Sequence, residues 1–184
     1  MSSFNGQLEH EIPRLRRYAR ALTRDATRAD DLVQSCLVRA LAKSHLWQPG
    51  TDLRAWLFTI LHNQHVNDVR RAVREGISVP VEDVAPVLTA PSTQGASLQL
   101  RDLDRAMARL PEEQRQVLLL VGLEGMRYEE VAIVLDVPVG TVRSRLSRGR
   151  DMLRYIMDIK APAGRTGKEE AVRAKAPAEA DAAA

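Results

Sequence analysis

The chain has 184 residues, 45% of them apolar and 28% charged, with a formal net charge of +3, the balance of a globular chain forming one medium or two small domains. Two Trp, three Tyr and two Phe are too few aromatics for a β-sandwich or barrel, and no run approaches the ~20 apolar residues of a membrane span. Cys36 is the single cysteine, which excludes an internal disulfide framework, and MSSFNGQLEHEIPRLRR lacks the apolar core of a secretory signal, so a cytoplasmic location without membrane insertion is expected.

Two helical blocks, 8–75 and 98–158, carry almost all the periodic apolar residues. In the first, Ile12, Leu15, Tyr18, Ala19 and Leu22 recur at helical spacing. A polar break over Thr23–Ala29 separates them from a second helix with the stripe Leu32, Val33, Cys36, Leu37, Ala40 and Leu41. Asp30 and Asp31 are expected in the first turn of that helix, where carboxylates suit the positive end of the macrodipole. Asp31, Gln34, Ser35, Val38 and Arg39 fall outside the stripe and face solvent or a partner. Ser44–Gly50 is a loop, and Thr51 or Asp52 can cap a third helix that buries Leu53, Trp56, Leu57 and Ile60 and ends in Arg70, Arg71 and Arg74.

The segment 76–97 holds three prolines and two acidic residues but no Lys or Arg, and reads as a flexible linker. Beyond it, Leu98, Leu103, Met107 and Leu110 share a helical face. Pro111 opens a further helix at its first position, with Glu112 and Glu113 in the first turn. That helix runs through Val117–Val121 and stops near Gly122–Gly125. A short helix Tyr128–Leu135, a turn Asp136–Gly140 and a last helix Thr141–Met157 complete a helix-turn-helix pattern. From 159 to 184 the chain has almost no large apolar residues and cannot offset the entropy of ordering, so a disordered tail is expected. The fold class is all-α: two small helical domains on a flexible linker.

Charge locates a candidate site. Between Thr141 and Arg154 stand Arg143, Arg145, Arg148, Arg150 and Arg154, opposed only by Asp151, which suggests a phosphate-bearing partner. Val142, Leu146, Gly149 and Leu153 share one face of the last helix, which turns Arg143, Ser144, Ser147 and Arg148 outward near its N-terminus. Arginine can fork onto guanine O6 and N7, serine can meet a base edge or a phosphate, and the amides at Gly140–Thr141 are free for a phosphate. No catalytic constellation, Walker loop or dinucleotide turn is present, and His62 and His65 lack further ligands at metal spacing, so the chain reads as a non-enzyme without cofactor or metal. Cys36, on an apolar stripe, reads as a small core residue.

The run LPEEQRQVLLLVGLEGMRYEEVAIVLDVPVGTVRSRLSRGRDMLR resembles region 4 of the sigma-70 family, most closely its extracytoplasmic-function (ECF) subfamily. RRYARALTRDATRADDLVQSCLVRALAK and LRAWLFTILHN resemble region 2 of the same subfamily, and the resemblance covers residues 8–157. It implies a sigma factor that binds core RNA polymerase, through the β′ clamp and the β flap, and directs initiation at promoter DNA. On that resemblance Asp31, Gln34, Ser35 and Val38 belong to the polymerase-binding face, with Ser35 where family members usually have an acidic residue. The loop Ser44–Asp52 and the following helix match the reader of the −10 element, which implies Trp47, Asn63, Arg70 and Arg71 as candidates. Trp47 either stacks on a flipped base or anchors the loop on the core, and Asn63 either meets a base edge or makes a buried structural bond. Region 4 implies −35 recognition by Arg143, Ser144, Ser147 and Arg148, with Arg145 on the backbone and Tyr128 and Thr141 on phosphates. Asp136 stands where many members have Gly, and tolerates left-handed geometry.

A partner anti-sigma factor is expected on the same resemblance. It would hold the two domains in a compact arrangement, whereas a linker of this length leaves them no need of a fixed interface in the free protein. Two other classes fit parts of the chain: a sigma-mimic decoy that sequesters an anti-sigma protein, and a helix-turn-helix regulator working without polymerase. The first usually lacks the recognition arginines kept here, and the second leaves the first block unexplained.

Overall fold

A computed structural model describes residues 4–48, 50–76 and 94–159. The secondary structure there is helical: α1 Phe4–Thr23, α2 Ala26–Ala42, α3 Leu53–Arg74, α4 Gln94–Ala108, α5 Glu112–Leu118, α6 Tyr128–Leu135 and α7 Val139–Ile156. Residues 77–93 of the expected linker and 160–184 of the expected tail lie outside the described residues.

The first domain is built from α1, α2 and α3, with α1 packed on α2 and α2 on α3. The predicted stripes form its core: Leu15, Tyr18, Ala19 and Leu22 from α1, Leu32, Val33, Cys36 and Ala40 from α2, and Leu53 and Leu57 from α3 are buried. Phe58 and Leu61 join them. Leu41 does not; in the last turn of α2, it is 48% exposed. Trp56 and Ile60 are half-buried against the core rather than within it. Helix α1 begins at Phe4, earlier than the stripe suggests, because Phe4 packs on Trp47 and Trp56 at ring distances of 5.4 and 6.4 Å.

The polar break is shorter than its composition implies. Only Arg24 and Asp25 separate α1 from α2, because the Asp25 carboxylate accepts the Arg28 amide at 2.8 Å and caps α2 from Ala26. Asp30 and Asp31 consequently sit in the second turn, not the first, and Asp30 faces Arg16 and Arg20, each at 3.8 Å. Of the two candidate caps of α3, Asp52 does the capping, accepting from the Ala55 amide at 3.1 Å.

In the second domain α4 begins at Gln94, inside the expected linker. Gln94–Ser97 carries no charge and no large apolar residue, so nothing in its pattern marks the start of a helix. Pro111 is the cap of α5 rather than its first residue, its carbonyl accepting the Gln114 and Arg115 amides at 3.0 Å. After Leu118 the helix widens into a π-turn over Leu119–Leu123 and ends in Glu124 and the left-handed Gly125 (φ 65°). Helix α6 matches its predicted bounds, and Asp136 terminates it in left-handed geometry (φ 51°). Helix α7 starts two residues early, at Val139, where the Pro138 carbonyl accepts the Thr141 and Val142 amides at 2.8 and 3.2 Å, so the Thr141 amide is not free for a phosphate as its position in the sequence implies.

Helices α5 and α6 both pack on α7. Gly149 sits where α7 meets α5: a Cβ there would lie 2.9 Å from Leu118 Cδ1 and 3.3 Å from Gln114 Cβ. Gly149→Leu is therefore expected to cost about 1–3 kcal/mol by overpacking. Gly140→Ala, in the same helix with nothing within 4 Å, is expected to stabilise by about 0.5–1 kcal/mol. Urea unfolding followed by far-ultraviolet circular dichroism measures both, and equal effects at the two glycines would contradict the packing argument.

The two domains are not independent. Helix α3 packs on α6, α1 packs on the π-turn, and the buried residues of both domains form one continuous hydrophobic cluster. This corrects the expectation that the free protein needs no fixed interface: linker length permits separation but does not decide it, and the facing surfaces are complementary.

Candidate polymerase and promoter interface

Helix α7 turns the candidate residues outward as its periodicity implies. Val142, Leu146 and Gly149 are buried against α5 and α6, and Leu153 is half-buried. Arg143 and Arg148 are exposed, and Ser144 and Ser147 are half-exposed beside them. The Ser144 hydroxyl donates to the Thr141 carbonyl at 3.0 Å, so its remaining capacity is to accept. Arg145 is held differently: its guanidinium reaches Glu113 of α5 at 2.9 Å, with 21% of the side chain exposed. Tyr128 and Thr141, at the first turns of α6 and α7, are both half-buried.

Around the loop before α3, a 3-10 turn over Ser44–Leu46 leads to Trp47. Trp47 is half-buried and tilted at 46° against Phe4, which anchors the loop on the core. The Thr51 hydroxyl donates to the Gln48 carbonyl at 2.7 Å, and Gly50 adopts φ 93°, a turn that suits a residue without Cβ. Asn63 is exposed, so the buried structural bond is not its role, and Arg70 and Arg71 are exposed on the last turns of α3. Arg71 donates to Glu75 at 2.8 Å. The buried face of the same helix holds His62 and His65, and His65 Nε2 meets Glu112 of α5 at 3.2 Å. Burial pushes the Glu112 carboxyl up, but the bond to His65 and the nearby Arg115 outweigh it and hold the group below the usual range.

Asp31, Gln34 and Val38 are exposed along one side of α2, with Ser35 half-buried. Gln34, Ser35, Val38 and Arg39 of α2 line an open groove with Gln64 of α3. Val38, at 60% exposure, gives the groove an apolar rim. Cys36, on the opposite side of α2, is fully buried, with its Sγ 3.5 Å from the Leu57 carbonyl; burial pushes the thiol up to about 12. Among the described residues, no group of three or more His, Cys, Asp or Glu is placed to hold a metal ion, and no helix is long and apolar enough to cross a membrane.

Arg17, Arg54 and Glu124 form a group that no sequence pattern announces. Arg17 donates from Nε and Nη2 to both oxygens of Glu124, each at 2.9 Å. Arg54 approaches the same carboxylate at 3.6 Å and also donates to the Glu124 backbone carbonyl. The Glu124 side chain has no exposed surface. No local spacing signals the pairing, since Arg17 and Glu124 are 107 positions apart.

A helical pair of domains, the second carrying an exposed arginine-bearing helix, has the two-domain architecture expected of the sigma class. Known proteins agree with that class. Residues 8–62 match the family described as the Sigma2 domain of PhyR, and residues 100–153 match Sigma-70, region 4. The ECF RNA polymerase sigma factor EcfG of Rhodopseudomonas palustris is 41% identical over 167 residues, covering 89% of each chain. The sigma factor RpoE of Bartonella quintana, solved in complex with the anti-sigma factor NepR, superposes with a TM-score of 0.74 at 32% identity, over 86% of this chain and 98% of that one. CnrH, solved with the cytosolic domain of CnrY, superposes at 0.63 with 26% identity over 86% and 89%. The chain belongs to the ECF sigma factors of the sigma-70 family.

Proposed function

We propose that the chain binds core RNA polymerase and directs initiation at promoters read through −35 and −10 elements. The observation that carries this reading is the pair Arg143 and Arg148, exposed on a recognition helix whose opposite face is buried. Arg143 and Arg148 read bases, Ser144 and Ser147 supply shorter contacts, and Thr141 and Tyr128 meet phosphates. Arg145, engaged by Glu113, is assigned to the DNA backbone rather than to a base. Asn63, Arg70 and Arg71 of α3 serve the −10 element, with Trp47 supporting the loop that precedes their helix. The α2 groove, with Asp31 beside it, takes the polymerase clamp. Docking both domains on polymerase makes two weak readers effectively bivalent. An anti-sigma factor is a further partner on this reading, since the similar sigma factor RpoE was solved in complex with the anti-sigma factor NepR.

Transcription by purified core polymerase with this protein, across a promoter library, tests the reading. Arg143→Ala or Arg148→Ala is expected to cost about 1–3 kcal/mol at the promoter and to relax preference at one −35 position. Unchanged −35 preference in both variants would remove the base-reading assignment. Absence of transcription by the wild-type protein, with intact binding to an anti-sigma factor, would favour the decoy reading.

A further inference from the structure

We propose that Glu124, gripped by Arg17 and Arg54, is an electrostatic latch that closes the two domains on each other without any partner protein, and that polymerase engagement must release it. The functional half of this statement rests on the reading above; the latch itself does not.

Glu124 belongs to the second domain, yet its carboxylate is held by side chains of the first, Arg17 from α1 and Arg54 from α3. The bidentate contact from Arg17 is the geometry in which an arginine–carboxylate pair is strongest and most directional. Three further features place this triad in a larger pattern. Arg24 of the first domain meets Asp104 of α4 at 3.2 Å, with side chains 15% and 14% exposed. His65 of α3 meets Glu112 of α5 at 3.2 Å. Arg54 also lies over the Phe58 ring at 5.8 Å, which fixes it from below. In the three arginine–carboxylate contacts, and in the His65–Glu112 hydrogen bond, the basic residue is in the first domain and the carboxylate in the second.

Such a contact suits a reversible closure better than a permanent one. A buried ion pair recovers much of its desolvation cost when its charges return to water, so its net contribution is smaller than its geometry suggests. The apolar packing of α3 on α6 and of α1 on the π-turn gives nothing back on opening, so the ion pairs are the reversible part of the interface. Parting the domains frees Arg17, Arg24 and Arg54 on the first domain and hydrates Glu124, so a competing partner meets a modest barrier. A chain whose competent open form is only fractionally populated binds its target more weakly by that fraction.

The full-length protein tests the latch by small-angle X-ray scattering at low and high salt, without polymerase. The wild-type protein is expected to be compact at low salt and to remain so as salt rises, because the Glu124 carboxylate has no exposed surface and buried pairs are screened little. Glu124→Gln is expected to be expanded at both, with unchanged helicity by circular dichroism. Arg17→Gln, at a side chain 47% exposed, guards against misfolding of the buried variant and is expected to expand the chain likewise. The charge swap Arg17→Glu with Glu124→Arg should restore compaction. In polymerase binding, both single variants should show affinity raised several-fold. An extended wild-type protein at low salt, or identical scattering of wild type and both single variants, would overturn the latch. Expanded variants together with a wild-type protein that never supports transcription would uphold the latch and count against the promoter reading alone.

Discussion

Acidification from about pH 6.5 to about pH 4 is expected to remove about 3 kcal/mol of folding stability through His62 alone. His62 lies on the inner face of α3, 8% exposed. Burial lowers its imidazole to about 4, the neighbouring His65 adds to the lowering, and Glu112 opposes it. An unfolded histidine takes up its proton near pH 6.5, whereas the folded one stays neutral until about pH 4. Within that window the unfolded chain binds more protons, so stability falls as pH falls; above and below it this group contributes no slope. Glu112 and Glu130 act in a lower window. Burial raises Glu130 as well, but the Arg127 amide and guanidinium outweigh it and hold the group below its ordinary range. Stability held by these two carboxylates is present above the unfolded carboxyl pKa and is lost as pH drops through their folded values. Urea unfolding of the wild-type protein and of His62→Leu, at a series of pH values across the upper window, separates the contributions. The variant should lack most of the loss seen in the wild type. Parallel curves for the two proteins would mean that His62 is not the acid-sensitive group.

Sequence patterning reaches some of this architecture and not the rest, for identifiable reasons. Helix α6 is readable to the residue because its apolar period is dense and Asp136 supplies a left-handed stop. The faces of α7 are readable because burial of Val142, Leu146 and Gly149 leaves Arg143 and Arg148 outward. The start of α2 is easily misplaced because a polar stretch looks like a break unless the Asp25 cap is recognised. Periodicity assigns Leu41 to the core because it says which face a residue occupies but not whether a neighbour covers that face at the helix end, where Leu41 is 48% exposed. The domain interface is out of reach. Arg17, Arg54 and Glu124 are separately ordinary charged residues, and only three-dimensional proximity turns them into a triad. The −35 candidates are therefore legible from one helix, whereas the group of Arg17, Arg54 and Glu124 between the two domains is not legible from any.

Phe58→Ala is expected to lose about 3–5 kcal/mol of stability, a large share of the roughly 5–15 kcal/mol typical of a domain. Phe58 has no exposed surface. Its ring centre lies 5.2 Å from that of Tyr18, tilted at 51°, and it also carries Arg54 at 5.8 Å. Tyr18 is itself fully buried, so truncation at position 58 opens a cavity that neither helix can close without moving against a filled core. Two effects combine in the loss: the transfer and cavity cost of the ring, and the cation–π contact with Arg54. Phe58→Leu keeps most of the apolar volume and removes the ring, and is expected to cost only about 1–2 kcal/mol. A double-mutant cycle of Phe58→Leu with Arg54→Met isolates the cation–π part, expected at about 0.5–2 kcal/mol. Because Arg54 also reaches Glu124, loss of the ring should loosen the domain interface as well as the core of the first domain. Phe58→Leu should therefore expand the chain in scattering before it unfolds. A Phe58→Leu protein that is destabilised yet remains as compact as the wild type would show that the ring supports the core without positioning Arg54.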